Sequence, residues 1–424
     1  MGLRESLQGK EGLKLKLILP FILAFFIEGF IINGFFALLP FIREEFALNL
    51  LQVGLYSTFS LISATLVGII SGRVVDQLGS KNGLLLGLGV LSLLMLLHAL
   101  APVFSVILLL SFLTGLAYSM FAPAANKMVV ERIEPGFRAL SMGFITSGYG
   151  TGAFLGAGIL PVLGVVLGWR RAILSAGIFA LFIFLIVHLK WHRGESHFNS
   201  EQNQGRKEEE KSKGLKAFIG DLGLLLENKY LLCLCGLGAG FGLINGALPA
   251  HFTIYLHQDL GYCKVISGLG FSLLQLGGLT GVLGWGLISD RFLGGDRGKS
   301  LLLVGLIINT MLLVCGLAGL FPFSSTIVFL MSFLLGFGAL GWWSLFLVTV
   351  GEMSSNRMTG MVTGFVLIFI RLGMSISPPL VGYITDLRGA YDAGFLFLFL
   401  TSISTTLLFF HFISKVEDKP GKLY

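Results

Sequence analysis

Charge is scarce in this sequence. Asp, Glu, Lys and Arg make up 12% of its 424 residues, about half of the roughly 25% that a soluble domain usually carries. That shortage removes the polar cover a soluble globule needs, so it excludes an ordinary soluble enzyme and a charge-rich disordered chain. Cysteine is scarce as well. The four residues Cys233, Cys235, Cys263 and Cys315 form no disulfide framework, which excludes a small secreted scaffold. Cys233 and Cys235 stand two apart in one apolar run, so on a helix they point to different sides. No His or carboxylate accompanies them at ligand spacing. They read as small apolar fillers, and no metal or other cofactor is expected. Alternating ten-residue segments, the mark of a membrane β-barrel, are also missing.

Apolar sequence is what remains. Hydrophobic residues make up 54%, mean hydropathy is +0.86, and there are 58 Gly and 38 Phe. The apolar runs are about 20 residues long, the length of helix that crosses about 30 Å of hydrocarbon. Twelve spans are expected, at roughly 17–41, 51–71, 83–101, 105–125, 141–166, 171–189, 229–256, 265–288, 301–320, 327–350, 359–384 and 391–413. The first has no small-residue cleavage site and opens a series, so it reads as a retained helix rather than a signal peptide. The fold class is an all-α membrane protein.

One long polar stretch, Lys190 to Lys216, interrupts the spans and reads as a solvated linker between six and six. The expected organisation is an N-terminal six-helix bundle over 1–190, a linker over 191–214 and a C-terminal six-helix bundle over 215–424. Residues 215–227 look amphipathic, suited to a helix on the membrane surface. The net charge of +7 resides in loops: 24 Lys and Arg on the side holding the N-terminus, 5 on the opposite side, and Arg371 inside a span. This asymmetry is a topology signal, not a nucleic-acid footprint. It places the linker and both termini in the cytoplasm of a cell-membrane protein. The expected partners are the lipid bilayer and a small-molecule substrate, with no nucleic acid, and the chain is expected to be a monomer.

The two halves repeat. Ile31-Ile32-Asn33-Gly34 in span one matches Leu243-Ile244-Asn245-Gly246 in span seven, and Pro40 has a near counterpart in Pro249. Gly54, Gly72 and Asp76 match Gly268, Gly286 and Asp290 at a constant offset of 214. Glu131 and Arg138 after span four echo Glu352 and Arg357 after span ten. A parallel six-plus-six repeat suits transporters whose bundles rock about a site at mid-membrane.

The connection after span two reads Gly72-Arg73-Val74-Val75-Asp76-Gln77-Leu78-Gly79-Ser80-Lys81, and the one after span eight reads Gly286-Leu287-Ile288-Ser289-Asp290-Arg291. A tight turn needs Gly79, and Asp76 at a helix end can cap a neighbouring helix or pair with a cation. These loops resemble the signature loop of the major facilitator superfamily. Pro123, Arg138 with Gly143, and Gly168-Trp169-Arg170 add to the resemblance, which covers nearly the whole chain. It implies alternating access, with contacts of Gly72, Asp76, Gly79, Lys81, Glu131 and Arg138 in one half, and Gly286, Asp290, Arg291, Glu352 and Arg357 in the other, made in one global state and broken in the other. Drug–proton antiporters of that superfamily often carry an Arg in span four and Gly-Pro in span five. Here the corresponding place in span four is Ser111. Span five has Gly148, Gly152, Gly156 and Gly158 without Gly-Pro, and that ladder reads as a close helix–helix contact. Gly336-x-Gly338-x-x-Gly341 and Gly294 to Ser300 mimic nucleotide loops, but no strand precedes either.

A charge at the centre of a membrane helix costs about 2.5–3.5 kcal/mol on insertion scales, so it faces a partner or a watery path. Glu28 in span one and Arg371 in span eleven are such charges. In the resembling fold, spans one, four, seven and ten line the cavity and two, five, eight and eleven form its walls, which brings both residues to it. Two readings stay open. Either they form a fixed ion pair (or Glu28 stays protonated), or Arg371 binds an anionic substrate with two prongs while Glu28 carries a proton. Asn33, Asn245, His251, Gln275 and Trp342 are further candidate substrate contacts. The resemblance is nearest to organic-anion members of the monocarboxylate and oxalate type. It implies a secondary transporter, not an enzyme, moving a small organic anion by proton symport or anion exchange. The alternatives are proton-coupled efflux of hydrophobic or cationic compounds, and a non-transporting receptor or assembly factor on the same scaffold.

Overall fold

The computed structural model describes residues 15–192, 225, 229–320, 323–352 and 359–417, and among these every regular element is helical. The expected linker, nearly all of the amphipathic stretch and Arg357 lie outside the described residues. Among the described residues, twelve helices are long and apolar enough to cross a membrane: Leu17–Ala37, Leu50–Gly68, Ile70–Ala99, Phe104–Arg132, Pro135–Leu167, Trp169–Leu189, Lys229–Gln258, Lys264–Phe292, Arg297–Leu317, Ser325–Glu352, Met361–Arg388 and Asp392–Phe412. We call them spans one to twelve. The ends facing the 192–229 connection are the linker side of the molecule. Side chains such as Leu66, Ile178, Leu283, Leu306, Leu372 and Leu407 project outward as an apolar coat, which lipid tails accept as readily as a protein core would.

Spans two and three form one helical run, Leu50–Ala99, opened by a capping box between Asn49 and Gln52 and turned at Gly79. There φ is 83°, a left-handed conformation that glycine adopts without the clash a Cβ would cause. Spans four and ten, expected as single helices, are each broken. Span four divides into Phe104–Tyr118 and Phe121–Arg132, and span ten into Ser325–Ala339 and Trp343–Glu352. Pro123 explains the first break, because it has no N–H for the Ser119 carbonyl four residues back. That carbonyl instead accepts from Ser71 Oγ at 3.1 Å. At the second break the Ala339 carbonyl accepts from Asn245 Nδ2 at 3.1 Å and Trp342 Nε1 at 3.0 Å. Side chains thus satisfy the backbone groups that lipid could not.

The glycine ladder of span five does what its spacing suggests. A Cβ added to Gly148, Gly152 or Gly156 would lie 2.6, 1.9 or 2.1 Å from the carbonyl oxygens of Ile22, Phe26 and Phe30 on span one. Spans seven and eleven repeat the arrangement, with Gly242 and Gly246 against the carbonyls of Ile370 and Met374. These backbone-to-backbone seams make each bundle a rigid body. Gly152→Leu should therefore abolish the monodisperse detergent-extracted protein, whereas Gly143→Ala, at a glycine with open space around it, should leave its yield and elution unchanged. Size-exclusion profiles of the two variants check this.

Candidate functional site

The bundles meet along spans two and eleven and along spans five and eight, and the contacts cluster away from the linker side. Asp386 accepts from the backbone N–H groups of Leu50 and Leu51, both at 2.9 Å, and so caps the start of span two from the other bundle. Thr58 Oγ1 donates to the Ser375 carbonyl at 2.6 Å, and Ser272 Oγ to that of Phe154 at 2.6 Å. Glu44, just past span one, pairs with Lys264 at the start of span eight and lies 3.4 Å from His257 Nε2. At the linker-side ends of the same four helices, a Cβ on Gly68, Gly143, Gly286 or Gly364 would meet nothing within 4 Å. The molecule is closed on the side opposite the linker and splayed on the linker side.

Arg371 is exposed in the middle of span eleven. Its neighbours Ile368, Leu372 and Ile376 belong to the outward apolar stripe, but Arg371 itself is turned toward the other bundle, within electrostatic reach of Tyr118 on span four. Glu28 reaches the same Tyr118 and also Tyr149 on span five. Among the described residues neither Glu28 nor Arg371 has a hydrogen bond or ion pair. The fixed-pair arrangement is thus not formed in this state. Both charges act on Tyr118, Glu28 from the same bundle and Arg371 from the other. Tyr118 donates to the Ser60 carbonyl at 3.2 Å.

Deeper in the cleft, Asn33 and Gln275 come together across the bundles. Gln275 Nε2 donates to Asn33 Oδ1 at 2.9 Å, and Asn33 Nδ2 donates to Tyr149 Oη and the Gly29 carbonyl, both at 3.2 Å. The other polar candidates are placed differently. His251 is buried, with one ring nitrogen 2.7 Å from the Pro378 carbonyl and the other 3.0 Å from Tyr391 Oη. Neither nitrogen is left for a ligand. Trp342 is fully buried among Phe241, Trp343 and Phe346. Its indole N–H and the amide of Asn245 both serve the broken end of span ten. In this state these three residues brace the helices. Tyr118 and Tyr149 were missed in the sequence, where a lone tyrosine in an apolar span carries no distinguishing pattern.

The linker-side loops also repartner. Asp76 was expected to meet Arg138 or Glu131. It pairs with Lys127 at 3.4 Å, and Lys127 also donates to the Asp76 carbonyl at 2.9 Å. Arg138 instead binds the Val130 and Ile133 carbonyls at 2.8 and 3.1 Å, closing the C-terminal end of span four. Glu131 has no such bond among the described residues. In the second half Asp290 and Glu352 do converge, through Arg297 at 2.6 and 3.2 Å. Arg291 is exposed and Lys81 half-buried beside the Gly79 turn. Each pair stays within its own bundle.

Comparison with known proteins adds to this geometry. The family model for the Major Facilitator Superfamily matches residues 21–378 and 268–423. The sialic acid transporter NanX of Escherichia coli (strain K12) is 25% identical over 401 residues, covering 93% of each chain. The hexuronate transporter of Bacillus subtilis (strain 168) is 24% identical over 422 residues, covering 95% of this chain and 96% of that protein. The fold is shared with a bacterial homolog of the human lysosomal transporter Spinster, with a TM-score of 0.76 at 16% identity over 94% and 97% of the two chains.

The closed side carries a titratable contact. Partial burial opposes ionisation of Glu44, but its hydrogen bond with Lys264, the Lys264 charge and the adjacent His257 together hold its carboxyl below the ordinary value. A depressed carboxyl stabilises its contact above its free value of about 4 and loses it as pH falls through the lowered one. Spin labels on either side of the Glu44–Lys264 contact should report one short distance at neutral pH and a longer, broader one in acid. Glu44→Gln should show the broad distribution at every pH, an effect of about 1 kcal/mol or less for so exposed a pair.

Proposed function

The chain belongs to the Major Facilitator Superfamily, and from that premise we propose that it carries a small organic anion through the cleft at Arg371. It is a multi-pass membrane protein and a secondary transporter rather than an enzyme. The cargo reading rests on one observation: an exposed guanidinium at mid-span, within electrostatic reach of Tyr118 on the other bundle, with no carboxylate among the described residues paired to it. Arginine does not escape the cost of the membrane by losing its proton, so it calls for an anion. Its planar fork matches a carboxylate with two hydrogen bonds. Similarity to transporters named for sialic acid and hexuronate supports a carboxylate.

Glu28 has the option that Arg371 lacks, because a carboxyl can become neutral by taking a proton. In the proposed cycle an anion settles at Arg371 as Glu28 is protonated, and the loaded bundles rock together as a proton symport. Anion exchange is the form the cycle takes when a second anion replaces the proton. The Lys and Arg asymmetry of 24 to 5 supports a cytoplasmic linker side with both termini there, so the present state is open inward. In the outward-open state the Asp76 and Asp290 loops gain partners across the bundles while the Glu44 and Asp386 contacts separate.

Counterflow in proteoliposomes with a panel of labelled carboxylates, phosphates and organic cations tests this reading. A carboxylate should be carried, and Arg371→Ala should abolish its transport. Arg371→Lys should weaken its binding by about tenfold, through loss of one prong. Glu28→Gln should keep substrate binding and remove the stimulation by a proton gradient. Full carboxylate transport by Arg371→Ala, or transport of cations alone, contradicts the reading.

A further inference from the structure

The Gly29 carbonyl fixes the polarity of the hydrogen-bond relay formed by Asn33, Gln275 and Tyr149. A carbonyl only accepts, so the Asn33 amide must turn its nitrogen toward Gly29, and that nitrogen's other hydrogen goes to Tyr149 Oη. Asn33 Oδ1 then faces Gln275, which must answer with its own nitrogen. Two ends are left over. The Tyr149 hydroxyl accepts from Asn33 and keeps its own proton, for which no acceptor exists among the described residues. Gln275 Oε1 has no donor among them, and it is not one of the polar atoms sealed in the core without a partner. The relay therefore offers one O–H donor from the first bundle and one carbonyl acceptor from the second, while Asn33 between them is buried and fully bonded.

We infer that Tyr149 and Gln275 form a hydroxyl-recognition site, so that the cargo is a hydroxylated carboxylate, carboxylate at Arg371 and hydroxyl at the relay. A hydroxyl is donor and acceptor at once. It can therefore accept from Tyr149 Oη and donate to Gln275 Oε1. A second carboxylate would suit Tyr149 but set its oxygens against Gln275 Oε1, and a methylene would leave both groups unpaired. Sites that hydrogen-bond a substrate hydroxyl reject analogues lacking it far more strongly than apolar pockets distinguish shape. Because Gln275 and Asn33 come from different bundles, the site is assembled only while the side opposite the linker is closed. Both residues act as specificity residues for the transport proposed above, and the inference rests on that reading.

The test is binding to the purified full-length protein by titration calorimetry, with glucuronate and cyclohexanecarboxylate as probes. Both offer a six-membered ring and one carboxylate, but only the first carries hydroxyls. The wild type should prefer glucuronate by tenfold or more. Tyr149→Phe and Gln275→Met should each reduce that ratio by about tenfold by weakening glucuronate alone, the loss of one neutral hydrogen bond. Damage to the fold would weaken both acids alike and leave the ratio unchanged. Arg371→Ala should abolish both. Equal affinity of the wild type for the two acids overturns the hydroxyl site and leaves the anion reading standing. So does discrimination that both variants retain. Failure of both acids to bind, or glucuronate binding that survives Arg371→Ala, overturns both.

Discussion

The arrangement depends on a charge that cannot be neutralised in a place where charge is costly. Arg371 sits in the middle of span eleven, in a helix whose neighbouring turns are coated with Ile368, Leu372 and Ile376 for lipid. Span eleven is locked to span seven through Gly242, Gly246 and Gly373, and Arg371 acts on Tyr118 of the other bundle. On the proposed reading, the glycine seams and the charged contacts at either end serve to hold that charge where an anion can reach it. Glu28 on the opposite bundle keeps the cleft from being uniformly basic, and Tyr118 stands within reach of both.

The two ends of the molecule are built from different materials. On the closed side, Asp386 caps a helix of the other bundle and Glu44 meets Lys264, both near the surface and both weak singly. On the open side, Asp76 with Lys127 and Arg297 with Asp290 and Glu352 tie each bundle to itself. Exposed ion pairs of about 1 kcal/mol or less suit a two-state protein, because neither access state is then bound so tightly that cargo cannot shift it. The rigid parts are apolar and glycine-lined, and the exchangeable parts are charged and exposed.

Much of this was legible in the sequence for definite reasons. Twelve runs of membrane length, glycines four apart, a glycine required at the Gly79 turn and two charges inside spans are each local patterns with one dominant physical cause. The breaks in spans four and ten were less so. Pro123 stands in the first turn after the break, a place where proline also occurs in intact arrangements, and Gly341 in the break at 340–342 is one of many glycines that intact spans also carry. Partner choice was least legible. Lys127, rather than Arg138, reaches Asp76, and Arg297 reaches Asp290, because helix ends decide which cation arrives. His251, Asn245 and Trp342 looked like cavity polar groups, yet His251 bonds the Pro378 carbonyl and Tyr391, and the other two bond the Ala339 carbonyl. A polar side chain in an apolar span reads the same in sequence whether it meets a ligand or the backbone.

The claim that Arg371 faces a water-filled, anion-binding cleft is tested most directly by thiol accessibility. In a background with Cys233, Cys235, Cys263 and Cys315 replaced, Arg371→Cys and Leu372→Cys would be exposed in turn to a membrane-impermeant maleimide from each side of the membrane. The account predicts rapid labelling of Arg371→Cys from the linker side, slow labelling from the other, and none of Leu372→Cys from either. Labelling of the residue 372 thiol with the 371 thiol inert would place Arg371 away from the cleft and contradict the account.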